Sequence, residues 1–507
     1  TNRLNIYVIQ KANVGFAKYI ASLPEGKERG VAIGYDNRHM SYKFAIESAK
    51  VLATYGIKSY IFESLRPTPE LSFAVRYLKC AGGIMITASH NPKEHNGYKV
   101  YDDTGCQLLP EAADQVVQYV NEVEDELNIK VFSDEEAYPY MTWIGEEVDE
   151  AYYKEVMAIE VNSGMDKSDF KIVFSPQHGT SNIAVRTCLT RLGYDLVPVL
   201  AQCAPDPDFS NTKSPNPEVP ASYELAIKKA KEVDADVVVI TDPDGDRLGV
   251  VAKHNGEYVL MSGNQSAAVY LEYILSQMKE KGTLPDNAVM YNTIVTSDLG
   301  ELVARSYGVD VEKTLTGFKF IGDKIRKYEQ THEKTFVFGY EESYGCVIKD
   351  FVRDKDAVQA VLTAAEAGNF YKKQGKDLVD VLNELYAKHG TFKETQIALS
   401  KAGAAGAARI KEIMDNLRKD APQEIGGVKV VKVEDYGNST CSDGTTIQLP
   451  KSNVLKYYLE DGSWIAARPS GTEPKCKFYF SIKGSDADDA ASKTEVFHKA
   501  MMEIIGE

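Results

Sequence analysis

A chain of 507 residues is too long for one hydrophobic core, and at ~100–200 residues per domain it divides into three or four. Its 43% hydrophobic and 26% charged residues are those of a soluble packed protein, and no stretch approaches the ~20 unbroken apolar residues of a membrane span. A net charge of −16, with no Lys/Arg-rich run to offset it, opposes nucleic-acid phosphates, so a small molecule is the expected partner and neither nucleic acid nor membrane is. An anionic ligand must then be caught by a few placed cations and backbone donors. The seven cysteines are odd in number, scattered and without a Cys-x-x-Cys pair, which indicates neither a disulfide framework nor a zinc site. Residues 1–5 carry no signal-peptide pattern, and a reducing cytoplasm is the expected location. Oligomeric state is not legible.

In chain order, a β-branched run predicts a strand over 31–34, and the amphipathic pattern of 44–53 predicts a helix. This alternation continues to about residue 173 and restarts at 171–174 and 288–291, giving three similar α/β units with mixed sheets. After Gly390 an Ala-rich helix over 403–417 precedes close-set strands at 428–431, 454–459, 464–467 and 477–482 and a final helix over 488–505. That tail predicts a smaller C-terminal α+β domain with a largely antiparallel sheet. The expected domains are residues 1–165, 166–265, 266–390 and 391–507. Repetition among the three α/β units is too weak in sequence to establish duplication.

Four loops carry polar groups in patterns that suit chemistry. The run Ile84-Met85-Ile86-Thr87 ends on Ala88-Ser89-His90-Asn91-Pro92, with Lys99 close behind. Ser89 falls where a buried strand meets its loop, the usual place for functional groups in open α/β sheets. The plainer reading is that Ser89 and Asn91 make turn bonds to the backbone before Pro92. After the strand 237–240 comes Asp242-Pro243-Asp244-Gly245-Asp246-Arg247, whose alternate carboxylates can converge on one hard cation such as Mg²⁺. A calcium loop of the EF-hand type fails, because its sixth position is Arg247 and its twelfth is Lys253, and because a strand precedes it. An aspartyl nucleophile, as in haloacid-dehalogenase phosphatases, remains open on the local pattern. Gly339-Tyr340-Glu341-Glu342-Ser343-Tyr344-Gly345 offers a set suited to binding a polyol, or forms a solvated turn. Arg468-Pro469-Ser470-Gly471-Thr472-Glu473-Pro474 makes an anion-binding concavity, or a long hairpin connection.

Taken together, the four loops resemble those of the α-D-phosphohexomutase family, most closely its bacterial-type α-phosphoglucomutases. The likeness extends through Leu65-Arg66-Pro67-Thr68-Pro69, 175–180, Ser214-Pro215-Asn216-Pro217-Glu218 and 316–319, nearly the whole chain. It implies four domains that each lend a loop to a central cleft. It further implies that Ser89 carries a phosphoryl group and that Asp242, Asp244 and Asp246, with a phosphoserine oxygen, hold Mg²⁺. Arg247 would then hold phosphate, while Arg468, Ser470, Gly471 and Thr472 bind the substrate's other phosphate and Glu341 and Ser343 bind sugar hydroxyls. Lys99 matches the family's general acid/base, with a pKa expected to be lowered by burial near the metal. His90 is its rival on chemistry alone, and the resemblance gives it the task of shaping the phosphoserine site. The implied reaction interconverts glucose 1-phosphate and glucose 6-phosphate through a phosphoserine and glucose 1,6-bisphosphate, which is both intermediate and activator.

The family's N-terminal Gly-Thr-Ala-Gly-Leu-Arg-Gly segment has no counterpart before Thr1-Asn2-Arg3. Cys346 stands where dual-specificity relatives are expected to carry histidine, which leans towards glucose. Mannose and pentose phosphates are the alternative substrates. An inactive phosphosugar-binding protein and a magnesium-dependent phosphatase are the alternatives from other classes.

Overall fold

The computed structural model describes residues 4–470 and 474–507. The chain forms two compact units, one of Thr1–Asn292, Tyr307–Glu312 and Gly317–Val381, the other of Thr293–Ser306, Lys313–Thr316 and Leu382–Glu507. Among the described residues no helix is long and apolar enough to cross a membrane.

The first sheet has the strand order Tyr98–Tyr101, Gly82–Ile86, Val31–Tyr35, Ser59–Phe62, Met141–Ile144. Every residue of Val31–Tyr35 and Gly82–Ile86 is buried, as expected of parallel strands covered on both faces. Tyr98–Tyr101 is the exception in direction, antiparallel to Gly82–Ile86. The second sheet runs Glu257–Met261, Leu248–His254, Val237–Thr241, Lys171–Ser175, Asp195–Pro198. The third runs Asp310–Thr314, Ala288–Thr293, Thr335–Glu341, Gly345–Val347.

One topology therefore occurs three times. In each sheet the first strand lies between the second and the third, and the fourth strand sits beyond the third. The first and third strands are parallel and the third and fourth antiparallel. The loop joining third to fourth is the serine loop in one sheet, the aspartate loop in the next and the Glu341 loop in the last. Three of the four loops singled out in the sequence thus occupy equivalent places, a repeat that sequence comparison within the chain did not expose.

The C-terminal sheet is antiparallel in all its pairings. The helices Gly403–Lys419 and Ala487–Ile505 set Ile410, Met414, Phe497 and Met501 into one core with Tyr457, Ile465 and Phe480 of that sheet.

Two elements escaped the sequence pattern. Helix Ile6–Ser22, capped by Asn5, whose side chain accepts from the Val8 N–H, has a glycine at its middle. A Cβ at Gly15 would sit 2.3 Å from Val120 Cγ2 and 2.8 Å from the Val116 carbonyl oxygen, so the glycine is there for a close helix crossing despite its poor helix propensity. Strand Thr391–Ser400 has only Phe392 buried, and its inward alternation, which sets Ile397 and Leu399 against the core, is confined to residues 395–400. Its conformation is set by pairing along its whole length with Lys475–Gly484.

Candidate active site

The serine loop leaves its strand through a turn that puts Ser89 at φ 51°, a left-handed conformation uncommon for a residue with a side chain. The surroundings hold it there. The Ser89 N–H donates to Thr87 Oγ1 at 2.8 Å, and the Arg38 guanidinium donates to the carbonyl oxygens of Ser89, Asn91, Pro92 and His95. Arg38 is paired with Asp36 at 3.2 Å, and both side chains are fully buried. Sequence reasoning passed over Arg38. Its one signal was position, at the end of the first parallel strand, next in the sheet to the serine-bearing strand.

The aspartate loop folds back on itself. Asp242 Oδ1 accepts the N–H groups of Asp246 at 3.1 Å and Arg247 at 3.0 Å. The turn is braced from outside by the loop 175–180: the Thr180 N–H and hydroxyl both donate to the Pro243 carbonyl, at 2.8 and 2.9 Å. Thr68 adds an N–H to the Asp244 carbonyl and a hydroxyl to its Oδ2. All three carboxylates are buried, and their oxygens lie within 4.8 Å of one another.

The two loops meet. Ser89 Oγ donates to Asp242 Oδ2 at 2.9 Å and lies 3.2 Å from His90 Nδ1. Lys99 comes from the neighbouring antiparallel strand, opposite Met85, and its Nζ is 2.9 Å from Asp244 and 3.7 Å from Asp246. A second lysine that the sequence did not single out, Lys355, reaches Asp246 at 3.1 Å and Asp354 at 3.1 Å. Gly345 gives it passage, since a Cβ there would stand 2.1 Å from Lys355 Cδ. Nothing in the local run Arg353-Asp354-Lys355-Asp356 marks Lys355; its task comes from the fold.

Burial lowers the Lys99 pKa, but with no metal bound the charges of Asp244 and Asp246 outweigh it and raise the value. For the same reason Asp244 is kept ionised, its burial offset by Lys99, whereas burial and the two neighbouring carboxylates push Asp242 upward.

The cluster fits a divalent cation. Asp244 Oδ1 and Asp246 Oδ1 are buried without a hydrogen-bond partner among the described residues. Orphaned buried carboxylate oxygens are costly unless something satisfies them, and hard oxygens in this number suit Mg²⁺.

Arg247 ion-pairs with Glu218 at 2.7 Å. The third loop is tied to the second where the Leu248 N–H donates to the Tyr344 carbonyl at 2.9 Å. Glu341 is buried and accepts the Gly317 N–H at 2.8 Å, while Ser343 is half-buried in the same loop. Cys346 is buried behind this loop, beside a small cavity that Ser266, Tyr270 and Tyr340 also line. Arg468 and Ser470 belong to the C-terminal unit, where Ser470 N–H donates to the Lys475 carbonyl at 2.7 Å. Gly471 and Thr472 lie outside the described residues.

Sequence profiles of four families match in succession: phosphoglucomutase/phosphomannomutase alpha/beta/alpha domain I over residues 1–127, domain II over 150–256, domain III over 262–389 and the C-terminal domain over 407–499. A phosphoglucomutase of Staphylococcus epidermidis is 39% identical over 499 residues, covering 97% of this chain and 89% of its own. One from Staphylococcus aureus is 39% identical over 498 residues, covering 97% and 88%. Among solved structures, the open form of the Paramecium phosphoprotein pp63/parafusin, a phosphoglucomutase, has the same fold at a TM-score of 0.72, with 20% identity and coverage of 99% of this chain and 92% of that one.

Proposed function

Since the chain belongs to the phosphoglucomutase/phosphomannomutase family, we propose that it interconverts glucose 1-phosphate and glucose 6-phosphate, with Ser89 as the phosphoryl carrier. The observation that carries this reading is the meeting of Ser89 Oγ with Asp242 at 2.9 Å inside a cluster where Lys99 lies 2.9 Å from Asp244.

In the forward half, the O6 hydroxyl of glucose 1-phosphate attacks the phosphorus on Ser89. The bond from phosphorus to Ser89 Oγ breaks, the bond to O6 forms, and glucose 1,6-bisphosphate results. The O6 proton must leave and Ser89 Oγ must gain one. Lys99 as an ammonium gives its proton to the departing Ser89 Oγ, and the amine so formed takes the proton that O6 sheds, so the two transfers balance and the same pair runs in the reverse sense. His90 Nδ1, 3.2 Å from Ser89 Oγ, orients the hydroxyl. Asp242, Asp244 and Asp246 would hold Mg²⁺, which supplies charge neutralisation beside the phosphoryl group when bound. Once the bisphosphate turns round, its O1 phosphoryl group returns to Ser89 and glucose 6-phosphate is released. Glu341 and Ser343 take the sugar hydroxyls in either orientation, and the Arg468 loop takes the phosphate that is not being transferred.

Intact mass spectrometry tests this. The phosphorylated protein should lose one phosphate on addition of glucose 1-phosphate, with bisphosphate appearing and no inorganic phosphate released. Stoichiometric inorganic phosphate would favour a phosphatase. The same mass shift absent in Ser89→Ala, with turnover down at least about a thousandfold, assigns the carrier; near-normal turnover in that variant would remove Ser89 from the reaction.

A further inference from the structure

The Ser214-Pro215-Asn216-Pro217-Glu218 segment matches the family by its residues and has no part in the chemistry above. Its polar groups are almost all spent on fixing its own shape. Ser222 Oγ lies 2.7 and 2.6 Å from the carbonyl oxygens of Ser214 and Asn216, which share its one hydroxyl proton. Tyr223, whose side chain is buried, donates its hydroxyl to the Pro217 carbonyl at 2.6 Å. Asn216 Oδ1 accepts the Glu218 N–H at 3.0 Å, and the Val219 N–H donates back to the Asn216 carbonyl. Two prolines stiffen the same stretch. A segment so pinned delivers one side chain to a defined place, and that side chain is Glu218.

It arrives at Arg247. Glu218 Oε1 accepts from Nη1 at 2.7 Å, in a setting where the two side chains are only 23% and 15% exposed. The Arg247 backbone is fixed separately, by its N–H to Asp242. Nε is buried without a hydrogen-bond partner among the described residues, with the Asp246 carboxylate 3.8 Å away. A guanidinium is a planar fork of five N–H donors. Fixing one terminal nitrogen orients the whole plane. Arg247 closes the aspartate loop, and the next residue ties that loop to the Glu341 loop through the Leu248 N–H to the Tyr344 carbonyl at 2.9 Å.

We propose that Glu218 is a positioning residue: it grips one end of the Arg247 fork so that the remaining donors are aimed, before substrate arrives, at a phosphate oxygen of the phosphosugar or of Ser89. The inference rests on the mutase reading and deepens it. A carboxylate beside Arg247 weakens its pull on phosphate as a bare charge, so what Glu218 contributes is orientation, and removing a long side chain's freedom in advance is where such a clamp acts.

Glucose 1-phosphate turnover of Glu218→Ala, Glu218→Gln, Arg247→Ala and the double Glu218→Ala/Arg247→Ala variant tests it, together with the crystal structure of Glu218→Ala. Glu218→Ala should lose about ten- to a hundredfold in kcat/KM. Glu218→Gln, which keeps an acceptor of the same length without the charge, should recover most of that loss. In the Arg247→Ala background the Glu218→Ala change should cost nothing further, and in the crystal structure Arg247 should leave its present rotamer. Independent, additive losses would overturn the proposal, as would a Gln variant as poor as Ala or an Arg247 that stays in place without Glu218. A parent chain inert on glucose 1-phosphate would refute the mutase reading alone, and the crystal structure would still decide the clamp.

Discussion

A single methyl group added at Gly179 should disable the aspartate loop from behind. The Cβ of Gly179→Ala would stand 2.5 Å from both the Cα and the carbonyl oxygen of Pro243 and 2.8 Å from its carbonyl carbon. The obstacle is backbone on the loop between Asp242 and Asp244, so no side-chain rotation relieves it. One of the two loops must retreat by about 1 Å, and overpacking of this kind costs about 1–3 kcal/mol. The retreat also strains the two hydrogen bonds that Thr180 gives the Pro243 carbonyl. Mg²⁺ asks for near-ideal geometry at about 2.0–2.1 Å, so the cost should fall on metal affinity and on the chemistry beside Ser89. At 1.4 kcal/mol per tenfold, the loss in turnover at fixed Mg²⁺ is about 5- to 150-fold. The assay is the initial rate of glucose 1-phosphate conversion across a Mg²⁺ titration. Gly164→Ala serves as control, since a Cβ there meets nothing within 4 Å. If Gly179→Ala shows the parent's Mg²⁺ dependence and turnover, the bracing of the aspartate loop by 175–180 is wrong.

Exhaustive chelation with EDTA should stop turnover and added Mg²⁺ should restore it, as three buried carboxylates, two of them with an orphaned oxygen, require; activity unmoved by chelation would dismiss the metal. Lys99→Met should depress kcat far more than it changes KM, and the roles of Lys99 and His90 exchange if His90→Ala shows that signature instead. Arg468→Ala should raise KM about ten- to a hundredfold for both glucose phosphates, the scale of one charge-assisted bond to phosphate; an effect on one substrate only would refute the alternating grip. In the C-terminal unit, Lys456 is buried against the Trp464 ring at 3.9 Å and donates to the Ile294 carbonyl at 2.8 Å. Burial, with Lys313 adding to it, pulls its pKa down to about 7 from 10.5. Between those values the unfolded chain binds a proton that the folded chain does not, so stability should rise with pH from about 7 to about 10 and be lowest below 7. Denaturant midpoints read from Trp464 fluorescence in a Trp143→Phe background should show this rise, and Lys456→Met should flatten it; a slope unchanged by that substitution would place the effect elsewhere.

How much of this was legible in the sequence depends on the range of the interaction concerned. Alternate aspartates on one turn converge because a turn of six residues closes on itself, and Asp242 accepting the N–H groups of Asp246 and Arg247 is local geometry. The same holds for a serine at the end of a β-branched run. The sequence therefore determined the α/β alternation, the antiparallel tail, the loops and the class of chemistry they serve. Helix Ile6–Ser22 and strand Thr391–Ser400 were not determined locally, because the first depends on a close crossing at Gly15 and the second on a partner strand some eighty residues away in the chain.

Only the tertiary structure brought Arg38 beneath the serine loop, Lys355 onto Asp246 and Glu218 onto Arg247. Each is an ordinary charged residue in its own stretch, given its task by a neighbour more than twenty positions away. The threefold strand order likewise became visible only in the sheets, since a topology survives substitutions that erase sequence repetition. Lys99 marks the boundary most clearly. From sequence, burial by itself argues for a lowered pKa; in the fold with no metal bound, Asp244 and Asp246 stand close enough to raise it. Desolvation and Coulomb attraction oppose each other and both depend steeply on distance, so which one wins is decided by where the chain places its charges.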